Sequence, residues 1–233
     1  MPNNYISPFR QGPSNRVLVH FDGANGSSAG IVDQYGRTLT VNGTVVCSNT
    51  YAKFGLTSGL FQGGANDFIE IPNDNDLFNL GNDDFTIDSW LLRTSAGMAT
   101  GEEVPWGTFQ WQTGFRGGFR LQLTPSDMNF CAFSAYPVVT AGMALPLGVL
   151  THVAVTRQGN VFRIFVGGVK RGEVVNADPI IMPAYHSPVM RLGAIISDGA
   201  AIAAKFVGYQ DEFNFIRGQA LYTADFTPPS APY

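Results

Sequence analysis

The chain has 233 residues, a net charge of −4 and a pI near 5.2. Charged residues make up 14%, with 3 Lys and 5 Glu against 18 Phe, 8 Tyr, 15 Asn, 27 Gly and 14 Pro. Lys and Glu favour helices, aromatics favour strands, and Gly, Asn and Pro favour turns, so a helical bundle is excluded. The arginines are scattered along an acidic chain, which lacks the basic face a nucleic-acid binder needs.

In chain order, residues 1–15 hold three prolines and no apolar pattern, and read as an extended arm. Tyr5, Ile6 and Phe9 are its apolar anchors for a partner. Met1 to Arg10 has neither the basic nor the apolar region of a secretory signal. Residues 16–233 read as one β-sandwich. Val17–Phe21 is a strand ending in the turn-rich Asp22–Gly26, and Arg37–Val41 is the next. Leu60–Gln62, Asp67–Ile71 and Phe85–Trp90 follow, with Trp90 assigned to the core. The acidic stretch Asn73–Asp84 lacks the spacing of an EF-hand loop, and reads as a loop with one helical turn. Ser95–Trp106 reads as an insert. Strands at Thr108–Gln112, Gly118–Leu123 and Met128–Ser134 precede the Pro-broken Tyr136–Gly148. His152–Arg157 and Val161–Val166 form a hairpin across Gln158–Asn160. Strands return at Val189–Leu192, Phe206–Tyr209 and Glu212–Ile216. Thr227–Tyr233 is an extended, polyproline-like tail. Short strands at steady spacing predict an all-β sandwich or barrel. No apolar run approaches the length of a membrane span.

Several segments together resemble the concanavalin A-like lectin/glucanase superfamily, in its laminin-G-type jelly-roll form. They are Val17–Gly23, Lys53-Phe54-Gly55, Asp67–Pro72 leading into Asp84–Trp90, Thr151–Arg157, Phe165–Gly168 and Gly208–Glu212. The ending, Tyr222-Thr223-Ala224-Asp225-Phe226-Thr227-Pro228-Pro229, looks like the closing motif of bacteriophage members. Thr151 and Gly167 depart from the family, where Trp and Asp are usual. The resemblance implies two antiparallel sheets packed face to face. It spans enzymes, lectins and structural modules, so it leaves function open.

Chemistry narrows the choice. Glycosidases of this fold need two carboxylates flanking the sugar bond, roughly 5 to 9 Å apart. Here the glutamates are isolated, apart from Glu102-Glu103, whose side chains point to opposite faces of a strand. Gly26-Ser27-Ser28-Ala29-Gly30 matches a nucleophile elbow, but no helix follows it. Three histidines and two cysteines, Cys47 and Cys131, without a C-x-x-C, do not make a zinc site. The cysteines read as free, buried thiols, although spacing leaves a disulfide between them open. His20 and His152 lie in apolar strand runs and read as structural.

Relatives hold a structural Ca²⁺ where the first and last strands meet. By that resemblance, Asp22 and Asp211 are the metal candidates, with a local cap as the other reading of Asp211. For sugar, Trp106, in a Pro-Gly loop, and Trp111 are the stacking candidates, with core burial the alternative for Trp111.

The expectation is therefore a non-enzymatic structural protein of a bacteriophage virion: a capsid decoration, head-fibre or tail-associated module made in the host cytoplasm. Its partners are other virion proteins and sister subunits in a homo-oligomer, with no nucleic acid and no membrane insertion. The alternative is a carbohydrate-binding module for host surface glycans. A glycoside hydrolase ranks behind both.

Overall fold

The computed structural model describes residues 15–94, 101–108, 110–112, 115–132, 138–182, 189–196 and 201–233, and no side chain from 109 to 116. Tyr5, Ile6, Phe9 and His186 lie outside the described residues, as does the side chain of Trp111. The described part is a jelly-roll sandwich of two main antiparallel sheets.

The central strand of the first sheet, Phe85–Arg93, shows how the sequence builds it. Alternate residues point to opposite faces. Phe85, Ile87 and Leu91 enter the core, while Thr86, Asp88 and Trp90 face away from it. On one side lie Thr151–Gln158, then Val161–Val166, then Val169–Val175. On the other lies Val207–Arg217, whose first half pairs with Ser58–Gln62 and whose second half pairs with Arg16–Val19. The second sheet runs Val139–Thr140, Met128–Ala132, Phe119–Leu123, Glu103–Gly107, Val189–Leu192, Phe68–Pro72, Thr40–Asn42. A small third sheet joins Gln110–Gln112 and Phe115–Gly117 to Ile195–Ile196 and Ile202–Ala203.

Aromatic rings fill the space between the main sheets. Phe85 stacks near Phe119 at 6.5 Å and tilts against Phe130 at 5.8 Å. Phe130 in turn meets Phe162 at 6.0 Å and Trp106 at 6.4 Å. Each fully buried ring is worth roughly 1.5–3 kcal/mol of transfer free energy, so this cluster dominates the hydrophobic term.

Most expected strands are present, with shifted ends. Three differences have physical causes. Strand Glu103–Gly107 falls, but for its last residue, in the stretch Ser95–Trp106 expected as an insert. Pro105 reads as a breaker, but the pairing skips from Leu121 to Leu123 at that point, and the bulge absorbs the missing donor. Val169–Val175 forms an edge strand because Gly167 and Gly168, both at positive φ, close a second hairpin after the first. The last two expected strands are one, Val207–Arg217, interrupted by a register shift between Asp211 and Asn214. Asn73–Asp84 keeps its single helical turn, at Asp74–Asp76. Cys47 and Cys131 are buried and form no disulfide with each other.

One ion pair lies between the sheets. Arg93 Nε stands 3.0 Å from Glu103 Oε2, and both side chains are buried. Burial pushes the Glu103 carboxyl up to about 7, while the Arg93 charge pulls the other way. A carboxyl raised in the folded state binds its proton more tightly there than in the unfolded chain. Its stabilising contribution is complete below the unfolded pKa and is lost as pH rises through about 7. The expected result is a melting temperature that falls between pH 5 and pH 8, from a contribution of order 1–3 kcal/mol. Glu103→Gln should flatten that slope in a calorimetric pH series, and an unchanged slope would remove Glu103 as its cause.

Candidate functional site

Two constructions occupy the outer face of the first sheet. The first is a loop clamp where the first and last strands meet. Asp211 is fully buried, and its Oδ2 accepts the N–H groups of Lys53 (2.6 Å) and Phe54 (3.3 Å). Its Oδ1 accepts the Glu212 N–H at 3.0 Å. Asp22, exposed at the end of the first strand, accepts the Leu56 N–H at 3.2 Å. The two metal candidates are thus brought to one loop, 53–56. Burial pushes the Asp211 carboxyl up to about 7, against the pull of these amide bonds. Phe21 and Glu212, both non-glycine, sit at φ of 61° and 52° beside the clamp, a strained conformation. Glu212 accepts from His20 Nδ1 at 2.7 Å, which holds the His20 imidazole above its ordinary pKa.

Calcium needs six to eight oxygen ligands. Here both Asp211 oxygens already face amide donors, and among the described residues no group of three His, Cys, Asp or Glu gathers that could hold a metal ion. The donor set does not fit a calcium cage and does fit a clamp. The expected outcome is that Asp211→Ala costs about 2–4 kcal/mol, because three N–H groups lose their acceptor. Adding a chelator to the native protein should leave the melting temperature unchanged. A clear fall with chelator would restore the ion.

The second construction is a latch made by the C-terminal segment. Thr86 Oγ1 donates to the Gln219 carbonyl and accepts the Leu221 N–H. Thr156 Oγ1 donates to the Tyr222 carbonyl at 2.8 Å. The hydroxyls of Tyr222 and Tyr233 both donate to Asp88 Oδ2, and Asn214 Nδ2 donates to Asp88 Oδ1. Burial and the Asp88 charge push both phenols up. Tyr222 and Phe226 stack at 3.7 Å and 6° between planes, over His152 and Phe165. Phe226 N–H donates to the Gly168 carbonyl, and Asp225 accepts the Lys170 N–H at the start of the edge strand. A Cβ on Gly168 would lie 2.0 Å from the Phe226 carbonyl oxygen, so only glycine admits the latch. Trp90 is buried as expected, but on this outer face and not between the sheets, under Lys53 Nζ at 4.0 Å and beside His152.

Trp106 corrects an expectation. It lies on strand Glu103–Gly107, opposite the core residues Leu121 and Leu192, and is fully buried. Such a ring has no face to offer a sugar. Trp111 lies on strand Gln110–Gln112, in the small sheet.

Each of the five glutamates has a cationic neighbour. Glu70 accepts from Arg191, Glu103 pairs with Arg93, and Glu102 lies 3.4 Å from Arg120. Glu173 is shared by Arg163 and Lys170, and Glu212 takes His20. Ser28 of the Gly-x-Ser-x-Gly match sits in a loop with no helix behind it.

Sequence reasoning missed an open cleft of about 590 Å³ between loops 35–38 and 72–75, lined by Tyr35, Arg37, Thr38, Pro72, Asp74 and Asn75. Its loops are far apart in the chain, and no motif marks either of them.

Comparison with known proteins agrees with this architecture. Domain 4 of AbnA, a GH43 extracellular arabinanase from Geobacillus stearothermophilus, in complex with arabinotriose, superposes with TM-score 0.58 at 17% identity, over 87% of this chain and 91% of that one. The binding domain of botulinum neurotoxin serotype G gives 0.59 at 12%, over 90% and 48%. The binding domain of Paraclostridial Mosquitocidal Protein 1 gives 0.58 at 13%, over 91% and 51%. The chain spans about half of each toxin domain, and at these identities the likeness concerns the fold alone. Among curated proteins, none matches the sequence. The laminin-G-type model of the concanavalin A-like lectin/glucanases superfamily matches residues 62–221, more than half of the chain, from the strand that supports the clamp to the start of the latch. With two antiparallel jelly-roll sheets beneath that match, the chain belongs to the concanavalin A-like lectin/glucanase superfamily.

Proposed function

We propose that the chain is a non-enzymatic structural protein of a bacteriophage virion, serving as a capsid decoration, head-fibre or tail-associated module. The observation that carries this reading is the use made of its phage-like closing motif. Tyr222, Asp225 and Phe226 each have a defined task in the latch. A chance string would have no reason to match the sandwich beneath it at three positions. Each glutamate pairs with a different neighbour, which supports a non-enzymatic reading, since a glycosidase sets two carboxylates across one sugar bond.

The latch holds the C-terminal segment on its own sandwich, so we assign attachment to the arm, with Tyr5, Ile6 and Phe9 as anchors against a sister subunit or another virion protein. Mass spectrometry of purified particles tests the reading, and the chain is expected there in many copies. Deleting residues 1–15 should leave the sandwich folded and empty those positions. Particles that never contain the chain overturn the virion assignment.

A second reading, recognition of a glycan, is favoured by one observation. The arabinanase domain, matched over 91% of its length, was solved with arabinotriose. Fold likeness alone does not transfer a ligand. A site must carry the argument.

A further inference from the structure

The C-terminal latch runs out to the edge strand at Asp225 and Phe226, then returns to Glu212 and Asp88 at Tyr233. Between its two legs, residues 219–222 and 229–233, lies a cleft of about 630 Å³. Its lining is mainly apolar: Leu221, Tyr222, Pro229, Pro232 and Tyr233, with Arg16 in one wall. Both legs are fastened to the sheet. Thr86 holds Gln219 and Leu221, Thr156 holds Tyr222, and Glu212 accepts the Tyr233 N–H at 3.2 Å. The hydroxyls of Tyr222 and Tyr233 are both turned to Asp88, so their rings stand as fixed walls.

Arg16 brings the start of the chain to this cleft. It is the first residue of the first strand, opposite Ile216, and Asn214 Oδ1 holds its guanidinium, 3.2 Å from both Nε and Nη2. Residues 1–14, which precede the described part, therefore join the sandwich at the cleft wall. Phe9 stands seven residues before Arg16, and an extended chain covers about 3.3–3.6 Å per residue, so it reaches roughly 25 Å from that wall. Gly12-Pro13-Ser14 offers the residue types that reverse a chain. Proline-bearing extended segments dock in grooves walled by aromatic rings, and Ser7-Pro8-Phe9 is such a segment.

We propose that the cleft houses the chain's own N-terminal arm, with Pro8 and Phe9 seated between the legs of the latch. The inference rests on the reading of the arm as the attachment segment, and it adds how attachment is controlled. An arm of three prolines and few apolar side chains has no core of its own, and the cleft supplies one. While the arm is housed, its Phe9 ring is covered. A sister subunit or another virion protein gains that ring only by drawing the arm out. Tethering decides between the chain's own arm and that of a second copy. A tether of a few residues holds the segment at an effective concentration of order millimolar, far above that of a second copy in dilute solution.

Limited digestion of the full chain with trypsin tests this, because Arg10 follows Phe9 directly and precedes Gln11. Cleavage after Arg10, followed by mass spectrometry, should run about tenfold slower or more than in a synthetic peptide of residues 1–15. Phe9→Ala removes the docked ring. Ala231→Trp fills the cleft from an exposed position and removes no side-chain bond. Each should raise the rate close to that of the peptide, with little change in melting temperature. If Ala231→Trp disturbs the latch, Phe9→Ala decides, since it alters no residue of the sandwich. Equal rates for the native chain and the peptide overturn the dock. Protection that survives both substitutions overturns this cleft as its place. Protection that fades on about hundredfold dilution overturns the chain's own arm in favour of a second copy's. Protection that persists in a chain never found in purified particles upholds the dock and overturns only the virion reading.

Discussion

Truncation after Gly218 is expected to lower the melting temperature by roughly 10–30 °C, or to prevent folding altogether. The removed segment looks like a tail but is built into the sheet. It carries Tyr222, Phe226 and Tyr233, all half-buried, and half-burial of each ring is worth about 1–2 kcal/mol. Its loss also strips two hydroxyl donors from Asp88, which lies fully buried beneath the segment. Exchanging these two bonds to a charged acceptor for water costs a further 1–3 kcal/mol or so. The sum, about 4–9 kcal/mol, compares with the 5–15 kcal/mol that hold a typical domain together. A chain of this length loses roughly 2–4 °C per kcal/mol. Calorimetry of the truncated chain measures the effect directly. Tyr222→Phe is the milder companion, since it removes one donor and keeps the stack on Phe226. A truncated chain that melts with the full one would mean that the latch is an ornament.

Replacing Arg157 by leucine is expected to cost about 3–5 kcal/mol. The side chain is fully buried at the end of strand Thr151–Gln158. Its Nε donates to the Gly159 carbonyl at 2.8 Å, NH1 to the Gly81 carbonyl at 2.8 Å, and NH2 to Asn82 Oδ1 at 3.0 Å. The guanidinium also lies 4.8 Å from the centroid of Phe162. Burial pushes its pKa down, and the charges of Asp84 and Asp83 oppose that shift. One planar fork therefore ties the hairpin turn to the loop that enters the central strand. Leucine matches the apolar stem but leaves the Gly159 carbonyl and the Asn82 amide oxygen without the guanidinium, and the Gly81 carbonyl with the Ile180 N–H alone; each such bond to a charged group is worth about 1.5–3 kcal/mol. Arg157→Lys keeps the charge and cannot span three acceptors, so it should recover only part of the loss. Urea denaturation of both variants would measure the difference, and a cost under about 1 kcal/mol for leucine would show that the fork is dispensable.

Function and fold were legible to different degrees. The alternation Phe85, Ile87, Leu91 against Thr86, Asp88, Trp90 is written in the sequence, and period-two patterning fixes which residues enter a sheet interior. The turn at Gln158–Asn160 and the motifs Asp67–Pro72, Thr151–Arg157 and Tyr222–Pro229 were likewise readable. Together they determined the sandwich and its superfamily.

Tertiary structure decided what local rules cannot express. Trp106 follows a proline and precedes a glycine, so its neighbours in sequence describe a loop; its neighbours across the sheet, Leu121 and Leu192, bury it. Trp90 is apolar and reads as core, yet strand alternation gives the interior to Leu91, and the face Trp90 occupies is closed by Lys53 and Phe54 from a distant loop. Asp211 reads as a metal ligand by its place in the last strand, and only the approach of loop 53–56 turns its oxygens to amides. Thr227–Tyr233 reads as an extended, polyproline-like tail, because its prolines and small residues carry no pattern of their own. The groups that hold it, Asp88 and Glu212, stand 145 and 21 residues from Tyr233. Sequence determines which side chains a strand presents to each face. What covers the outer face depends on which distant segments are long enough, and shaped, to reach it.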